Sequence, residues 1–227
     1  GSACVLLVHA AAGAPTVDVA VDGEAAADGL DFGRASSYLA LPPGEHQIRL
    51  SEAGTDEALL DLSLAFEAGL AYEVVAYIQD DAPTAAILST NLDPLADDRA
   101  RVRVFQAIPG APPAEVALAG GETLIAGVEY GSATDYAEVP TGETPVDLEV
   151  RPAGVPIVFP IPRAGLEPGL VYTFYALGDL ADLGSLGVLP VVAPTAGSAT
   201  DGTPVPAAEP IPLSPGNPGT PAATPAA

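Results

Sequence analysis

Residues that could carry out catalysis or bind a metal are scarce in this chain. It contains two histidines, His9 and His46, and one cysteine, Cys4. A zinc site needs several histidine or thiolate ligands, and these residues are few and far apart in sequence. No serine or cysteine has a histidine and a carboxylate in a sequence context typical of a catalytic triad. The sequence therefore predicts a protein that is not an enzyme and that uses no cofactor and no metal.

The elements that would position these residues occur twice, because the chain contains an internal repeat. Residues 9–23 (HAAAGAPTVDVAVDG) match residues 106–120 (QAIPGAPPAEVALAG) at an offset of 97, which drifts to 100 further along. A register kept over about ninety residues indicates two copies of one domain. His9 corresponds to Gln106, and His46 also lacks a histidine counterpart. A residue present in both copies is expected to serve the fold, and a residue present in one copy a specialised role.

The opening motif of each copy contains one shared acidic position, Asp18 and Glu115. These carboxylates either bind a cation or point outward from an alternating strand, and the apolar neighbours of Asp18 favour the second interpretation. His9 lies near the end of the first predicted strand, where a structural histidine with satisfied hydrogen bonds is favoured over a ligand.

Two pairs of tyrosines are shared as well. Tyr72 and Tyr172 each lie three residues after a glycine, and we expect their hydroxyl groups to pin a corner by bonding to the backbone. Tyr38 and Tyr136 each precede a proline-glycine turn. They either stack on a sugar or pack in the core, and core packing is favoured.

The charge of the chain excludes several classes of partner. It has 227 residues, with 30 acidic residues against seven basic ones, and its net charge is −23. Such a chain repels a nucleic-acid backbone and an anionic membrane surface. No apolar run reaches the roughly 18 residues that a membrane span needs. Gly1 and Ser2 are either a cloning remnant or the end left after removal of a signal peptide, and the second interpretation predicts an extracellular or cell-surface protein.

The pattern of apolar residues and turns predicts an all-β fold. Residues 17–21 alternate with the period of two that a half-buried strand needs, and glycine-proline clusters mark the turns. Seven short strands per copy indicate two tandem antiparallel, Ig-like β-sandwich domains. At most a helical turn is expected, at 82–86 or 180–184.

These patterns divide the chain into four segments. We predict a first repeat at 1–90, an acidic linker at 91–99, a second repeat at 100–193 and an extended proline-rich tail at 194–227. Four polar residues in and near the linker could form a calcium-binding joint, but a solvated acidic linker is favoured, because the spacing of an EF-hand is missing. The tail lacks aromatic residues and has the composition of a spacer, a stalk or an arm lying on a partner.

The single cysteine leaves three interpretations open. A buried strand residue facing the core is favoured for Cys4, and lipid attachment or a disulfide to another chain are the alternatives. An intramolecular disulfide is excluded, because the chain has one cysteine.

The repeated motifs resemble the family called domain of unknown function 4397. The resemblance rests on HAxxGAPxVDVxVDG at 9–23, on LPxG at 41–44, and on the related motifs VxYG at 128–131 and VPxG at 139–142 in the second copy. It covers residues 4–190 and leaves the tail unmatched. It implies secreted or cell-surface β-sandwich modules, often in tandem, with no established catalytic residues.

Two classes of function remain. The first is a structural protein that forms a homo-oligomer, a surface filament or a layer, joined through its terminal strand and tail. The second is an adhesion module that binds glycans or other surface proteins. The predicted assembly residues are Val5, Leu6, Leu7, Val8, Val205, Ile211 and Leu213.

Overall fold

The structure, a computed structural model, describes residues 1–118, 121–141, 148–152, 159–161, 166–196 and 211–212. The described residues form strands and turns with no helix, so the predicted all-β class is confirmed. Accordingly, none of them belongs to a helix that could cross a membrane.

The first copy contributes nine of the described strands. They are β1 (Ala3–His9), β2 (Val17–Val21), β3 (Glu24–Leu30), β4 (Arg34–Ala35), β5 (Leu39–Leu41), β6 (Gly44–Glu52), β7 (Ala58–Phe66), β8 (Ala71–Gln79) and β9 (Ala82–Thr90). The alternation at β2 appears as alternate burial of its side chains. The turn from β2 to β3 contains Asp22 and Gly23, both with positive φ, as a two-residue hairpin turn requires.

The second copy and the tail contribute the remaining strands. They are β10 (Arg99–Gln106), β11 (Ala114–Leu118), β12 (Thr123–Val128), β13 (Ala137–Pro140), β14 (Leu148–Pro152), β15 (Phe159–Ile161), β16 (Leu170–Asp179), β17 (Asp182–Pro194) and β18 (Ile211–Pro212).

Each copy is built from two sheets. Sheet A has the order β4-β1-β8-β9, with β5 also paired to β1, and sheet B has the order β3-β2-β6-β7. Sheet C has the order β13-β10-β16-β17-β18, and sheet D has the order β12-β11-β14-β15. The prediction of purely antiparallel sheets is wrong for one pair in each copy, because β1 runs parallel to β8 and β10 runs parallel to β16. In each parallel pair the two strands are joined by a long stretch of chain that passes through the opposite sheet, a crossover that sequence periodicity does not reveal.

The four sheets stack in the order B, A, C, D. One apolar core lies between sheets A and B, and a second lies between sheets C and D. A third core lies between sheets A and C, so the two sandwiches also pack against each other. Because alternate residues of a strand point to opposite faces, β1 contributes Val5 and Leu7 to the first core and Leu6 and Val8 to the third.

The sequence missed some strands and misplaced two turns. Strands β3, β4 and β12 were not predicted, because they are short, exposed or interrupted by bulges. The helical turns predicted at 82–86 and 180–184 are wrong: the first belongs to β9, and the second spans the β16–β17 hairpin. Both segments are rich in alanine or leucine, but hairpin pairing overrides that local preference.

Candidate functional site

The two copies contact each other through an apolar core and a buried ion pair. The core joins side chains of β1 and β8 to side chains of β10, β16 and β17. Phe105 and Tyr175 are both fully buried there, and burying such a side chain contributes about 1.5–3 kcal/mol.

A carboxylate lies at one end of this apolar contact. Glu73, the third residue of β8, is only 1% exposed. Its Oε1 accepts hydrogen bonds of 3.1 Å from the hydroxyl groups of Thr90 and Thr173, and its Oε2 accepts one from the Tyr175 hydroxyl. Burial, and secondarily the nearby Glu73 charge, raises the pKa of Tyr175 well above its usual value. The tyrosine is therefore a permanent donor to this carboxylate.

The charge that balances Glu73 comes from the other copy. Arg103 of β10 is 4% exposed, and its Nη2 lies 3.2 Å from Glu73 Oε2. Its Nε donates to Thr173 Oγ1 at 3.0 Å, and its Nη1 donates to the Ser89 carbonyl at 2.8 Å. The guanidinium carbon also lies 4.6 Å from the centre of the Tyr136 ring. A buried ion pair needs such additional hydrogen bonds to offset its desolvation.

A cluster of three aromatic side chains lies at the other end of the contact. The Tyr77 ring packs edge-on against Phe105 and Tyr130, with 5.7 Å between ring centres in each case. Tyr130 of the second copy donates its hydroxyl hydrogen to the Ile78 carbonyl of the first. Gly131 lies directly against Tyr77, since a Cβ at this position would be 2.8 Å from the Tyr77 hydroxyl oxygen. These contacts fix the two copies at a second point.

His9 has the structural role that the sequence favoured. It is 1% exposed; its Nε2 lies 2.9 Å from the Pro15 carbonyl, and its Nδ1 accepts the Ala11 amide at 3.3 Å. One donor and one acceptor suit a neutral imidazole, and burial lowers the pKa of His9. Gln106 reproduces the second of these bonds in its own copy, because its Oε1 accepts the Ile108 amide at 3.2 Å.

His46 is also enclosed by its own repeat, but its partners differ. Its Nδ1 lies 2.6 Å from Asp22 Oδ2, and its Nε2 lies 2.8 Å from the Pro42 carbonyl oxygen. Both partners are acceptors, so both ring nitrogens donate when the imidazole is protonated. The Pro42 carbonyl first, and then Asp22, raise the pKa of His46. The Gln47 amide first, and then His46, lower the pKa of Asp22.

The shared acidic position holds turns within each sandwich. Asp18 accepts the Gly29 amide at 2.7 Å and the Gly54 amide at 2.9 Å, and the Gly54 and Gly29 bonds lower its pKa. Glu115 accepts the Thr123 hydroxyl at 3.1 Å. Both residues therefore point outward and bind parts of their own chain, as the alternation predicted.

The corner tyrosines behave as predicted in both copies. The Tyr72 hydroxyl accepts the Glu67 amide at 3.2 Å, and the Tyr172 hydroxyl accepts the Glu167 amide at 2.9 Å. Each bond spans five residues and closes the same corner, so this is a role in the fold.

The second tyrosine pair lies beside the contact between the copies. Tyr38 packs against its apolar core, which confirms core packing for this residue. Tyr136 instead packs its ring against the Arg103 guanidinium. Burial raises the pKa of both phenols.

The structure also describes Cys4 and part of the predicted linker. Cys4 is exposed, so its interpretation as a core residue is wrong, because on β1 the inward-facing positions belong to its neighbours. In the linker, Arg101 Nη1 donates to the carbonyl groups of Asn91 and Asp93. Within the described parts of the chain, no three histidine, cysteine or acidic residues are grouped as metal ligands.

The predicted assembly residues lie in two places. Val5, Leu6, Leu7 and Val8 are buried, and their strand is paired on both sides within the chain. Their part in contacts between subunits stays a prediction, and it would require β1 to leave these positions. In the tail, Ile211 lies in β18, which pairs with Val188 of β17, whereas 205 and 213 lie outside the described residues.

A cleft of about 430 Å³ opens in the second copy between β12 and the chain leading into β13. Polar groups of Glu129, Ser132, Thr134 and Asp135 line it together with Tyr136. The sequence singled out Tyr136 but not this cleft, since the lining residues are scattered polar residues without a motif.

The comparisons with known proteins assign the chain to a family. No curated protein matches it in sequence. Among solved structures it is similar to the crystal structure of CBMbc (family CBM26) from Eubacterium rectale Amy13K in complex with maltoheptaose, at 11% identity and a TM-score of 0.25. That match covers 86% of this chain and 98% of the other. The family model described as "Domain of unknown function (DUF4397)" matches residues 3–117 and 100–203. The resemblance read from the motifs is thereby confirmed, and the chain belongs to the DUF4397 family as two tandem segments.

Proposed function

We propose that this chain is a non-enzymatic structural protein of the cell exterior, whose two repeats form one rigid unit of a self-associating surface assembly. The observation that carries this proposal is the buried contact between the copies. Domains in one chain move relative to each other unless their interface is large and apolar. Here an apolar core lies next to the buried Glu73–Arg103 pair. A unit held this firmly suits a load-bearing or spacing role.

The use of the polar residues supports the non-enzymatic part of the proposal. His9, His46 and Asp18 each bind backbone groups of their own repeat. A general base must reach the proton that it abstracts from a substrate. Side chains whose hydrogen bonds close turns are poorly placed for that task.

The location and the assembly can be tested together in the native organism. Antibody against the chain should label the surface fraction, and negative-stain microscopy of that undisrupted fraction should show labelled filaments or layers. Label confined to the cytoplasmic fraction would overturn the proposal. Labelled surface material without any regular assembly would reduce the function to that of a spacer.

The cleft supports a second candidate function, the binding of a glycan or a surface peptide. Its hydroxyl and carboxylate groups can form hydrogen bonds with a polar ligand, and Tyr136 offers an aromatic edge. We expect Asp135→Ala to weaken binding of any oligosaccharide or peptide found by a calorimetric screen. Ser37→Ala, at the matched position of the first copy, should leave binding unchanged. Equal effects of the two variants would place the ligand elsewhere.

A further inference from the structure

Within the described part of the chain, the outer edge of β9 has no strand paired to it. Strand β9 is the last strand of sheet A, and no other described strand pairs with its far side. Its nine residues include no charged side chain. Its pairing with β8 continues without a bulge from Thr90 to Ala82. Proteins normally protect such an edge with charges, bulges, proline or a covering segment, because an open edge pairs with other strands. Of these devices β9 has only Pro83, next to one end of the strand.

The other described sheet edges carry such protection. Strands β3 and β12 contain register shifts, and β4, β5, β13 and β15 have two to four residues each. Strand β7 carries Asp61, paired with Arg49. On β17, the counterpart of β9, β18 covers the edge at Gly187 and Val188. The strand pairing that the second copy receives from the tail is therefore not supplied to the first copy by any described strand.

The hydrogen bonds of β8 show which β9 groups point outward. The carbonyl groups of Leu70 and Ala76 bond to amides on the β1 side. Because backbone groups alternate in direction, even-numbered residues of β8 face β1 and odd-numbered residues face β9. Tyr77 pairs with Thr84, so even-numbered β9 residues face β8. The outward residues are Pro83, Ala85, Ile87 and Ser89.

These outward groups form a self-complementary set. Ala85, Ile87 and Ser89 offer amides, and Pro83, Ala85 and Ile87 offer carbonyl groups. Pro83 has no amide hydrogen to donate, and the Ser89 carbonyl already accepts Arg103 Nη1 at 2.8 Å. If a second β9 runs antiparallel about a two-fold axis at Ala86, Ala85 faces Ile87, and Pro83 faces Ser89. Every free donor then meets a free acceptor, and the missing donor of Pro83 faces the acceptor that is already occupied.

We propose that β9 pairs antiparallel with β9 of a second copy in this register, so that sheet A continues from one molecule into the next. This inference identifies the contact through which the chain of the proposed function would self-associate, and in that respect it rests on the proposed function. An isologous contact of this kind closes as a dimer, so the dimer would be the building block of a filament or layer, and a second contact would have to join dimers to each other.

Charge and side-chain placement favour the same arrangement. Asp80 and Asp81 form the turn before β9. Antiparallel pairing places the two acidic turns at opposite ends of the contact, whereas parallel pairing would bring them together. Ile87, 47% exposed, lies on the same face as Ile87 of the second copy and gains an apolar neighbour. A contact one strand long is smaller than a standard interface, so the dimer should be weak and dependent on concentration.

Sedimentation velocity of the full chain across a concentration series tests the proposal. We expect a monomer–dimer equilibrium whose Kd rises about tenfold or more in Ile87→Glu, because like charges on neighbouring strands repel. The control Leu183→Glu makes the same change at a residue of similar exposure, 51%, on β17, and should dimerise like the original chain. Ala85→Pro removes one outward amide without touching the β8 ladder, and should also abolish the dimer.

Residue-level hydrogen exchange and a shortened chain show whether the β9 edge pairs with β9 of a second copy or with the tail of a neighbouring molecule. The amides of Ala85, Ile87 and Ser89 should gain protection as concentration rises, while Thr84 and Ala86 are protected throughout. A chain ending at residue 196 keeps every member of the three cores and should still dimerise; loss of the dimer would assign the β9 edge to the tail of a neighbour and overturn the proposal. A folded monomer at every concentration would also overturn it. Neither result bears on surface location, which the antibody experiment tests separately.

Discussion

The two copies share their internal architecture and differ where they meet. Tyr72 and Tyr172 close the same corner with the same backbone bond. Val5 pairs with Tyr72 as Val102 pairs with Tyr172, so the positions of the two copies can be matched strand by strand. On the faces that contact each other, matched positions hold different residues. Leu6 corresponds to Arg103, and Glu73 corresponds to Thr173.

This difference determines which copy packs against which. Glu73 finds its counter-charge at a position where its own copy has leucine. Two first copies packed in the same way would bury Glu73 without a cation, and two second copies would bury Arg103 without a carboxylate. An unpaired buried charge is strongly unfavourable. The buried pair therefore favours contact between unlike copies and disfavours contact between like copies.

The largest expected effect comes from removing one member of this pair. Arg103→Leu gives the second copy the residue of the first and leaves Glu73 buried without its cation. We expect a loss of about 3–5 kcal/mol in the free energy of unfolding, measured by urea denaturation. Adding Glu73→Thr removes the unpaired charge and should recover at least about 2 kcal/mol, because replacing both members of a buried pair costs less than breaking it. A double variant no more stable than the single one would contradict this account.

A smaller loss of stability is expected at Gly131, where the absence of a side chain allows the Tyr77 ring to approach the backbone. Gly131 and Gly110 have φ values of +70° and +69°, but only Gly131 has atoms within reach of an added Cβ. Gly110→Ala should cost about 1–2 kcal/mol from backbone strain alone. Gly131→Ala should cost about 1–3 kcal/mol more, because the Tyr77 ring must move. Equal losses in urea denaturation would show that the Tyr77 contact tolerates the methyl group.

The shared corner provides a test in which the copies should agree. Tyr72→Phe and Tyr172→Phe each remove the acceptor of one backbone amide. We expect each to lower the free energy of unfolding by about 1 kcal/mol. A calorimetric difference between the two variants larger than the effect itself would mean that the corner has separate roles in the two copies.

The sequence predicted the features that occur in both copies and missed those that differ between the copies. The all-β class, the two copies, the corner tyrosines and the outward Asp18 follow from periodicity and from residues present twice. Glu73 could be noticed only as a charge interrupting the apolar run of β8. Its partner Arg103 lies 30 residues away in the other copy, and no local pattern connects them. The parallel pairing of β1 with β8 was missed for the same reason, since it depends on the path of the chain through the opposite sheet.

Replacing the histidines should change the free energy of unfolding least. The stabilising contributions of the two histidines should depend on pH in opposite directions. The pKa of His46 is raised from 6.5, so its stabilising contribution is complete below about pH 6.5 and is lost as the pH rises through the raised value. The pKa of His9 is lowered from 6.5. Its contribution is complete above about pH 6.5 and is lost as the pH falls through the lowered value.

Replacing each histidine by glutamine separates the two contributions. His9→Gln installs the residue of the second copy, and its Oε1 can accept the Ala11 amide as Gln106 accepts the Ile108 amide. We expect a cost below about 1 kcal/mol at pH 7, with the loss of stability on the acid side reduced. His46→Gln should instead flatten the alkaline side, because the imidazolium that donates to both Asp22 and Pro42 is gone. Urea denaturation between about pH 5 and pH 8 measures both slopes. If His9→Gln altered the alkaline side, the neutral state assigned to His9 would be wrong, and glutamine would not be its equivalent in the matched turn.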